Sequence, residues 1–101
     1  MVISVLTRQT AIRDADEFQK RVSRFAERAR PVLALQAGFG GLTIEGMGDG
    51  GLRETTSWTS MDDCRRYVRE GGAAMVATIA DAVLPTAPYP NGAWVRETRE
   101  E

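Results

Sequence analysis

The stretch LTIEGMGDGGLRETTSWT, residues 42–59, decides the fold, because it predicts a β-hairpin in the middle of the chain. Side chains alternate over residues 42–47, which is typical of a strand, and the threonine-rich residues 52–59 predict the next one. The GDGG sequence at 48–51 indicates the tight turn between them. The centre of the chain therefore supplies two adjacent antiparallel strands, and Glu45 and Glu54 could face each other across the hairpin.

A helix is predicted before the hairpin. Asp14 or Asp16 can cap its first turn, and Pro31 should kink it or end its regular part. Gly38 can then supply the left-handed residue that follows a helix. Apolar residues recur at spacings of three and four, as on one face of an amphipathic helix: Phe18, Val22, Phe25, Ala29 and Val32 or Leu33.

A second helix is predicted after the hairpin. Ser60, with Asp63 three residues later, resembles a capping box, and Asp62 and Asp63 suit a helix N-terminus better than a catalytic carboxylate pair. Cys64 is expected to be a small buried hydrophobic residue rather than a redox thiol. The inner stripe is interrupted by Gly71-Gly72 and otherwise runs as far as Pro85 through Met61, Cys64, Tyr67, Val68, Met75, Val76, Ile79, Val83 and Leu84.

Two outer strands complete the pattern. Residues 2–7, VISVLT, predict a strand that is buried on both faces. Residues 93–98 predict the last strand, which follows a turn at Asn91-Gly92 and a stiff exposed connection containing Pro85, Pro88 and Pro90.

The order β-α-β-β-α-β predicts one α+β domain over residues 1–101. It is the ferredoxin-like order, in which a four-stranded antiparallel sheet carries both helices on one face. The other face would be bare and apolar. A chain this short gains stability by covering such a face, so a homodimer that pairs two sheets is expected.

Composition excludes several classes of function. The net charge of −1 gives no field that would attract nucleic acid or an anionic membrane, and no stretch resembles a membrane span or a signal peptide. Lys20 is the only lysine among many arginines, which we interpret as the codon bias of a GC-rich bacterial genome. The single cysteine, Cys64, fits a reducing cytoplasm. The absence of histidine excludes Ser-His-Asp and Cys-His catalysis and a histidine-bound haem, and no metal site is predicted.

Aromatic residues mark the candidate site. Trp58 ends the third predicted strand and Tyr67 lies on the second predicted helix, so both could line a pocket between helices and sheet. Arg66 or Arg53 could add a polar contact. Phe39 and Trp94 could contribute as well, although all four aromatic residues could instead be core or interface residues.

The chain resembles the antibiotic-biosynthesis monooxygenase family of the dimeric α/β-barrel superfamily. The matching pieces are the opening strand at 2–7, AGFGG at 37–41 and SWTSMD at 57–62. The resemblance implies a homodimer whose two sheets form a barrel, and an activity among cofactor-free oxygenases, haem degraders and signal-molecule degraders. Trp58 matches the tryptophan of the haem-degrading branch, but Thr7 stands in place of its asparagine and its histidine is missing.

The resemblance therefore implies a cytoplasmic, cofactor-free monooxygenase-like protein that oxidises or binds a small aromatic or polyketide-type molecule. Its expected catalytic candidates are Trp58, Tyr67 and Arg66, and its expected ligand-binding residues are Trp58, Tyr67, Arg66, Phe39 and Met75. Two alternatives stay open. One is a non-catalytic ligand-binding or dimerisation module of the same fold. The other is an isomerase of the muconolactone type, whose general acid or base would be a carboxylate, Tyr67, Tyr89 or Cys64.

Overall fold

The computed structural model describes residues 1–88 and 94–101. Its strands and helices follow the order that the sequence predicts, with a second helix that is divided into two parts. The elements are β1 (Val2–Gln9), α1 (Ala15–Leu33), β2 (Phe39–Gly48), β3 (Gly51–Trp58), α2 (Met61–Arg66), α3 (Gly72–Thr78) and β4 (Val95–Glu100).

The four strands form one antiparallel sheet in the order β2-β3-β1-β4. Val2 opposes Trp58 on β3 and Glu100 on β4, so β1 occupies a central position with its whole length paired. The helices pack on one face of this sheet, which we call the inner face. The predicted ferredoxin-like α+β fold is therefore confirmed.

The central hairpin has a two-residue loop. Asp49 and Gly50 both have positive φ, 51° and 83°, as a type I′ turn requires. The resulting register places Glu45 opposite Arg53 and places Glu54 opposite Ile44. Glu45 and Glu54 consequently point to different faces of the sheet, so the suggestion that they meet across the hairpin is wrong.

Helix α1 forms as its sequence predicts. The Asp14 side chain caps it by accepting a hydrogen bond of 2.8 Å from the Glu17 amide. The buried stripe is Phe18, Val22, Phe25, Ala26, Ala29 and Leu33. Pro31 does not end the helix, which continues to Leu33. A proline so near the C-terminus removes only one helical hydrogen bond, and the packing of Leu33 outweighs that loss.

The second helical region departs from the predicted continuous stripe. A π-helical turn at Tyr67–Gly71 separates α2 from α3, and a short 3₁₀ turn at Ala80–Ala82 follows. Because a π turn contains an extra residue, it rotates the positions after it relative to a regular helix. Val76, which follows the turn, is consequently 40% exposed. Val68 lies within the turn and is 43% exposed, so the prediction that these two valines belong to the core is wrong. The helix also ends at Thr78, well before Pro85.

Within residues 1–88 and 94–101, no helix lies against the outer face of the sheet. Along β1, Val2, Ser4, Leu6 and Arg8 are buried under the helices, whereas Ile3 and Val5 are half-buried and Thr7 is exposed. The prediction of a strand buried on both faces is therefore wrong for the single chain. The outer face is also less apolar than predicted, because Thr55, Ser57 and Arg53 flank Ile3, Val5 and Thr7.

The last strand begins two residues later than predicted, at Val95, and runs to Glu100. The predicted turn at Asn91-Gly92, with Pro90 and Ala93, lies outside the described residues. Among the helices that the structure describes, none is long and apolar enough to cross a membrane.

Candidate functional site

A cavity of about 400 Å³ lies between the inner face of the sheet and the region of the π turn and α3. Its floor is formed by β1, β3 and β4, and its other walls by α1 and the second helical region. The lining residues are Leu6, Arg8, Phe25, Glu54, Tyr67, Val68, Gly72, Ala73, Met75, Val76, Val83, Trp94 and Arg96. Most of these side chains are apolar, and the few polar ones converge from neighbouring strands, as is typical of a small-molecule site.

A buried charge pair forms the floor of the cavity. The Arg8 Nη2 and Glu54 Oε1 atoms are 3.9 Å apart, which is close enough for an ion pair but too long for a hydrogen bond. Arg8 also donates to the Leu84 carbonyl at 3.2 Å and to Thr86 Oγ1 at 3.4 Å. Within the described part of the chain, Arg8 Nε and Glu54 Oε1 are buried with no hydrogen-bond partner. Buried polar atoms normally have partners, so these two mark a place where a ligand could bind.

Burial raises the pKa of Glu54, although the positive charges of Arg8 and Arg96 oppose the rise. Burial likewise lowers the pKa of Arg8, and the charge of Glu54 acts against that fall. A guanidinium keeps its proton under all ordinary conditions, so Arg8 remains a cation. Glu54 is therefore the group on this floor that can exchange a proton.

Two residues around β4 complete the polar side of the cavity. Arg96 donates a hydrogen bond of 2.7 Å to Ser4 Oγ, which fixes its guanidinium above β1. The Trp94 ring lies 4.8 Å from the Arg8 guanidinium carbon, which is a cation–π contact. Trp94 is half-exposed, so its ring forms part of the cavity rim.

Three aromatic rings pack behind and along the wall of the cavity. Tyr67 lines the cavity and stacks on Trp58 with ring centres 4.8 Å apart. Trp58 is buried and donates a hydrogen bond of 2.9 Å from Nε1 to Thr56 Oγ1. Phe39 meets Trp58 edge to face at 5.6 Å. Burial and the nearby Glu54 raise the pKa of Tyr67, so its hydroxyl is a hydrogen-bonding group rather than a base.

Of the residues that the sequence suggested, the structure brings Tyr67, Met75 and Trp94 to the cavity. Trp58 lies behind Tyr67, and Phe39 lies behind Trp58, so neither lines it. Arg66 is exposed on α2 and pairs with Asp63 at 2.9 Å.

Cys64 is buried, and burial raises the pKa of its thiol, which agrees with the interpretation as a small hydrophobic residue. Thr7 lies on the outer face, opposite Arg53 and Val95. Among the described residues, no group of three or more cysteine and acidic side chains is arranged to hold a metal ion.

Sequence reasoning missed Arg8 and Arg96, and it noticed Glu54 only as a partner of Glu45 across the hairpin. The feature of the sequence that could have identified them is the alternation of inward and outward side chains along β1 and β3. Extending the first strand to Gln9 places Arg8 in phase with Leu6 on the inner face. Glu54 has the same phase as Thr56 and Trp58, and a register in which Leu6 opposes both Glu54 and Arg96 brings these charges together.

No protein-family model matches the chain, and no curated protein matches it significantly. Solved structures do match over its full length. The haem degrader MhuD from Mycobacterium tuberculosis, solved with two haems in its active site, has a TM-score of 0.64 at 18% identity, covering 100% of this chain and 95% of that one. SnoaB, a cofactor-independent oxygenase from Streptomyces nogalater, has a TM-score of 0.56 at 22% identity, with coverages of 99% and 92%.

A third similar structure is a monooxygenase from the gene ActVA-Orf6 of Streptomyces coelicolor in complex with nanaomycin D. Its TM-score is 0.64 at 16% identity, covering 99% of this chain and 88% of that one. At these identities the likeness establishes the fold. The resemblance to the antibiotic-biosynthesis monooxygenase family is thus confirmed at the level of the fold, which this chain shares with these solved structures.

Proposed function

We propose that this chain binds a small phenolic aromatic molecule in the cavity and oxidises it without a cofactor. The observation that carries the proposal is the buried Glu54 carboxylate, whose Oε1 has no hydrogen-bond partner among the described residues and lies beside Arg8 in a largely apolar cavity. A carboxylate in such a place can accept a proton, and a guanidinium beside it can stabilise the anion that remains. SnoaB, which is similar in fold, is a cofactor-independent oxygenase.

The chemistry needs three steps. Glu54 takes the proton of the phenol, and Arg8 and Arg96 stabilise the phenolate. The electron-rich ring carbon of the phenolate then forms a bond to molecular oxygen, and Glu54 returns its proton to give a ring hydroperoxide. Loss of the remaining ring proton, with cleavage of the O–O bond, leaves a quinone and one water molecule. The oxygen is reduced and the ring is oxidised, so atoms and electrons balance with oxygen as the only co-substrate.

The remaining residues shape the site in this proposal. Tyr67 and Met75 form the walls against which the ring packs, and Trp58 holds Tyr67 in place from behind. Arg66, which the sequence suggested as a catalytic candidate, is exposed and paired with Asp63, so Arg8 and Arg96 stabilise the anion in this proposal. A histidine-bound haem does not fit, since the chain contains no histidine.

Oxygen uptake with a panel of phenols, naphthols and anthrones tests the proposal. We expect uptake with at least one substrate and a loss of about a hundredfold or more in Glu54→Gln, which removes the base and keeps its shape. Glu27→Gln is the matched control, because it makes the same chemical change on an exposed part of α1. Full activity in Glu54→Gln would refute the assignment of Glu54.

The same carboxylate also favours a second candidate, a cofactor-free isomerase that moves a proton within a lactone or a related substrate. Such a reaction needs a general acid or base in an apolar pocket, and Glu54 meets that need. Conversion that proceeds equally under nitrogen would support the isomerase and exclude the oxygenase. A non-catalytic module is less well supported, because the space between sheet and helices is not filled by Trp58, Tyr67 and Met75.

We also propose that the outer face of the sheet pairs with that of a second copy. The supporting observation is that none of the described helices covers this face, on which Ile3 and Val5 lie half-buried at its centre. Sedimentation should show a dimer, and Val5→Lys should convert it to a monomer. Leu35→Lys is the control, because Leu35 is 84% exposed and lies outside the strands. A wild-type monomer at micromolar concentration would refute the dimer.

A further inference from the structure

A second depression lies next to the cavity, and we call it the groove. It measures about 500 Å³ and runs between α2, the π turn and β4. Its lining residues are Met61, Cys64, Arg65, Val68, Arg69, Arg96 and Thr98. Val68 and Arg96 also line the cavity, so the two depressions meet at these residues. A molecule in the cavity can therefore extend into the groove.

The groove is strongly basic. Arg65 and Arg69 reach it from the helical side, and Arg96 reaches it from β4. Among the described residues that line it, none is acidic. Arg69 has an ion pair of 3.6 Å with its neighbour Glu70, but both side chains are about two-thirds exposed, so this pair holds the guanidinium weakly. Arg96 uses Nη1 to bind Ser4, which leaves its other N–H groups available.

We propose that the groove binds a carboxylate carried by the same molecule whose aromatic ring occupies the cavity. The substrate class is then a phenolic aromatic acid rather than a neutral phenol. The planar forks of the arginines match a carboxylate, which can accept two parallel hydrogen bonds from one guanidinium. The Thr98 hydroxyl adds a further possible donor. This inference rests on the ligand site of the proposed function, but not on the oxidation step.

The position of Arg96 explains how the two parts would act together. Its guanidinium is anchored on Ser4 of β1 and lines both depressions, so it lies between the phenolic end and the acidic end of the ligand. Arg65 and Arg69 line the groove but not the cavity. Substituting Arg65 or Arg69 should consequently affect the binding of the carboxylate without affecting the binding of the ring.

The test compares a hydroxynaphthoate with the methyl ester of the same molecule, which has the same rings and no charge. Binding is measured by calorimetry with the wild type and with Arg65→Gln, Arg69→Gln and Arg21→Gln. We expect the wild type to bind the acid about tenfold more tightly than the ester. We expect Arg65→Gln and Arg69→Gln each to lower the affinity for the acid about threefold or more. Neither variant should change the affinity of the ester. Arg21→Gln is the matched control, because it removes one exposed charge from α1 away from both depressions.

Each other outcome has a definite meaning. Equal binding of acid and ester by the wild type overturns the carboxylate site and leaves the proposed binding of phenols standing. An equal loss in Arg21→Gln overturns it too, because the effect would then come from the overall charge of the protein. Binding of neither compound overturns both this inference and the proposed ligand site. If the double variant Arg65→Gln with Arg69→Gln binds the acid as tightly as the wild type does, the proposal that the groove binds the carboxylate is also refuted.

Discussion

Replacing Arg8 by methionine should make the stability of this protein strongly dependent on pH. Methionine keeps an unbranched apolar side chain against Trp94 and removes the charge. Arg8 is only 4% exposed and the Glu54 side chain is 14% exposed, so the pair lies largely out of water. The variant therefore leaves a buried carboxylate without the cation on which it depends.

The size of the effect follows from the geometry. Two unit charges 3.9 Å apart attract each other by about 4 kcal/mol at an effective dielectric constant of about 20. Arg96 compensates in part, and methionine also loses the hydrogen bonds to Leu84 and Thr86. Breaking one side of a buried pair costs about 3–5 kcal/mol in general. We expect a loss of about 3 kcal/mol in the free energy of unfolding at about pH 8.

The pH dependence has a definite sign. Burial already raises the pKa of Glu54, and removing Arg8 raises it further, because the Arg8 charge lowers it in the wild type. A carboxyl whose pKa is raised in the folded state contributes stability that is complete below its ordinary pKa. That contribution is lost as the pH rises through the folded pKa. The variant should therefore differ from the wild type less at about pH 5 than at about pH 8.

Urea unfolding at the two pH values measures this difference. Arg21→Met, which removes an exposed charge, should lose little stability at either pH. In the double variant Arg8→Met with Glu54→Gln, the buried carboxyl at position 54 is gone. The additional dependence of the free energy of unfolding on pH that Arg8→Met causes should therefore disappear. An equal loss at both pH values in Arg8→Met would refute the conclusion that Glu54 and Arg8 are coupled.

Further predictions concern the aromatic wall of the cavity, its rim and the dependence of oxidation on pH. Trp58→Leu should lower the free energy of unfolding by about 3 kcal/mol, because Trp58 is fully buried and stacks on Tyr67, and urea unfolding checks this loss. Val76 lies half-exposed on the cavity rim, so Val76→Trp should lower ligand affinity about tenfold or more. The free energy of unfolding should change by less than about 1 kcal/mol. Calorimetry measures the affinity, and urea unfolding measures the stability. Oxidation by the wild type should increase as the pH rises through the elevated pKa of Glu54, and a rate independent of pH would contradict its role as the base.

Patterns that depend on neighbouring residues were readable from the sequence. The hairpin was predicted because Asp49-Gly50 can adopt the positive φ angles of its turn. The second cap was predicted at Ser60 and the first at Asp14 or Asp16, of which Asp14 is the cap. Each capping side chain precedes a helix and accepts a hydrogen bond from an amide three residues later. These features need no knowledge of distant parts of the chain, and together they determine the order of the elements.

The site depends on distant pairings, which is why the sequence did not show it. Arg8 and Glu54 are 46 positions apart and meet only through the register of β1 with β3. Arg96 joins them through the pairing of β1 with β4. A shift of one residue in either register would move a charge to the opposite face of the sheet. The aromatic residues attracted notice because of their type, yet Trp58 supports the wall from the core and is not exposed to the cavity.

The failure of the predicted stripe in the second helix and the presence of the cavity have the same cause. A continuous α-helix would have directed Val76 at the sheet, towards the space above β1 and β4. The π turn changes the direction of Val76, which lines the cavity together with Val68 from within the turn. Gly71 allows close packing at the end of the turn, because a Cβ atom there would lie 2.8 Å from Gln36 Oε1 and from Tyr67 Cδ1. The same close packing holds the ring of Tyr67 against Trp58, so the irregular turn both opens the cavity and positions its aromatic wall.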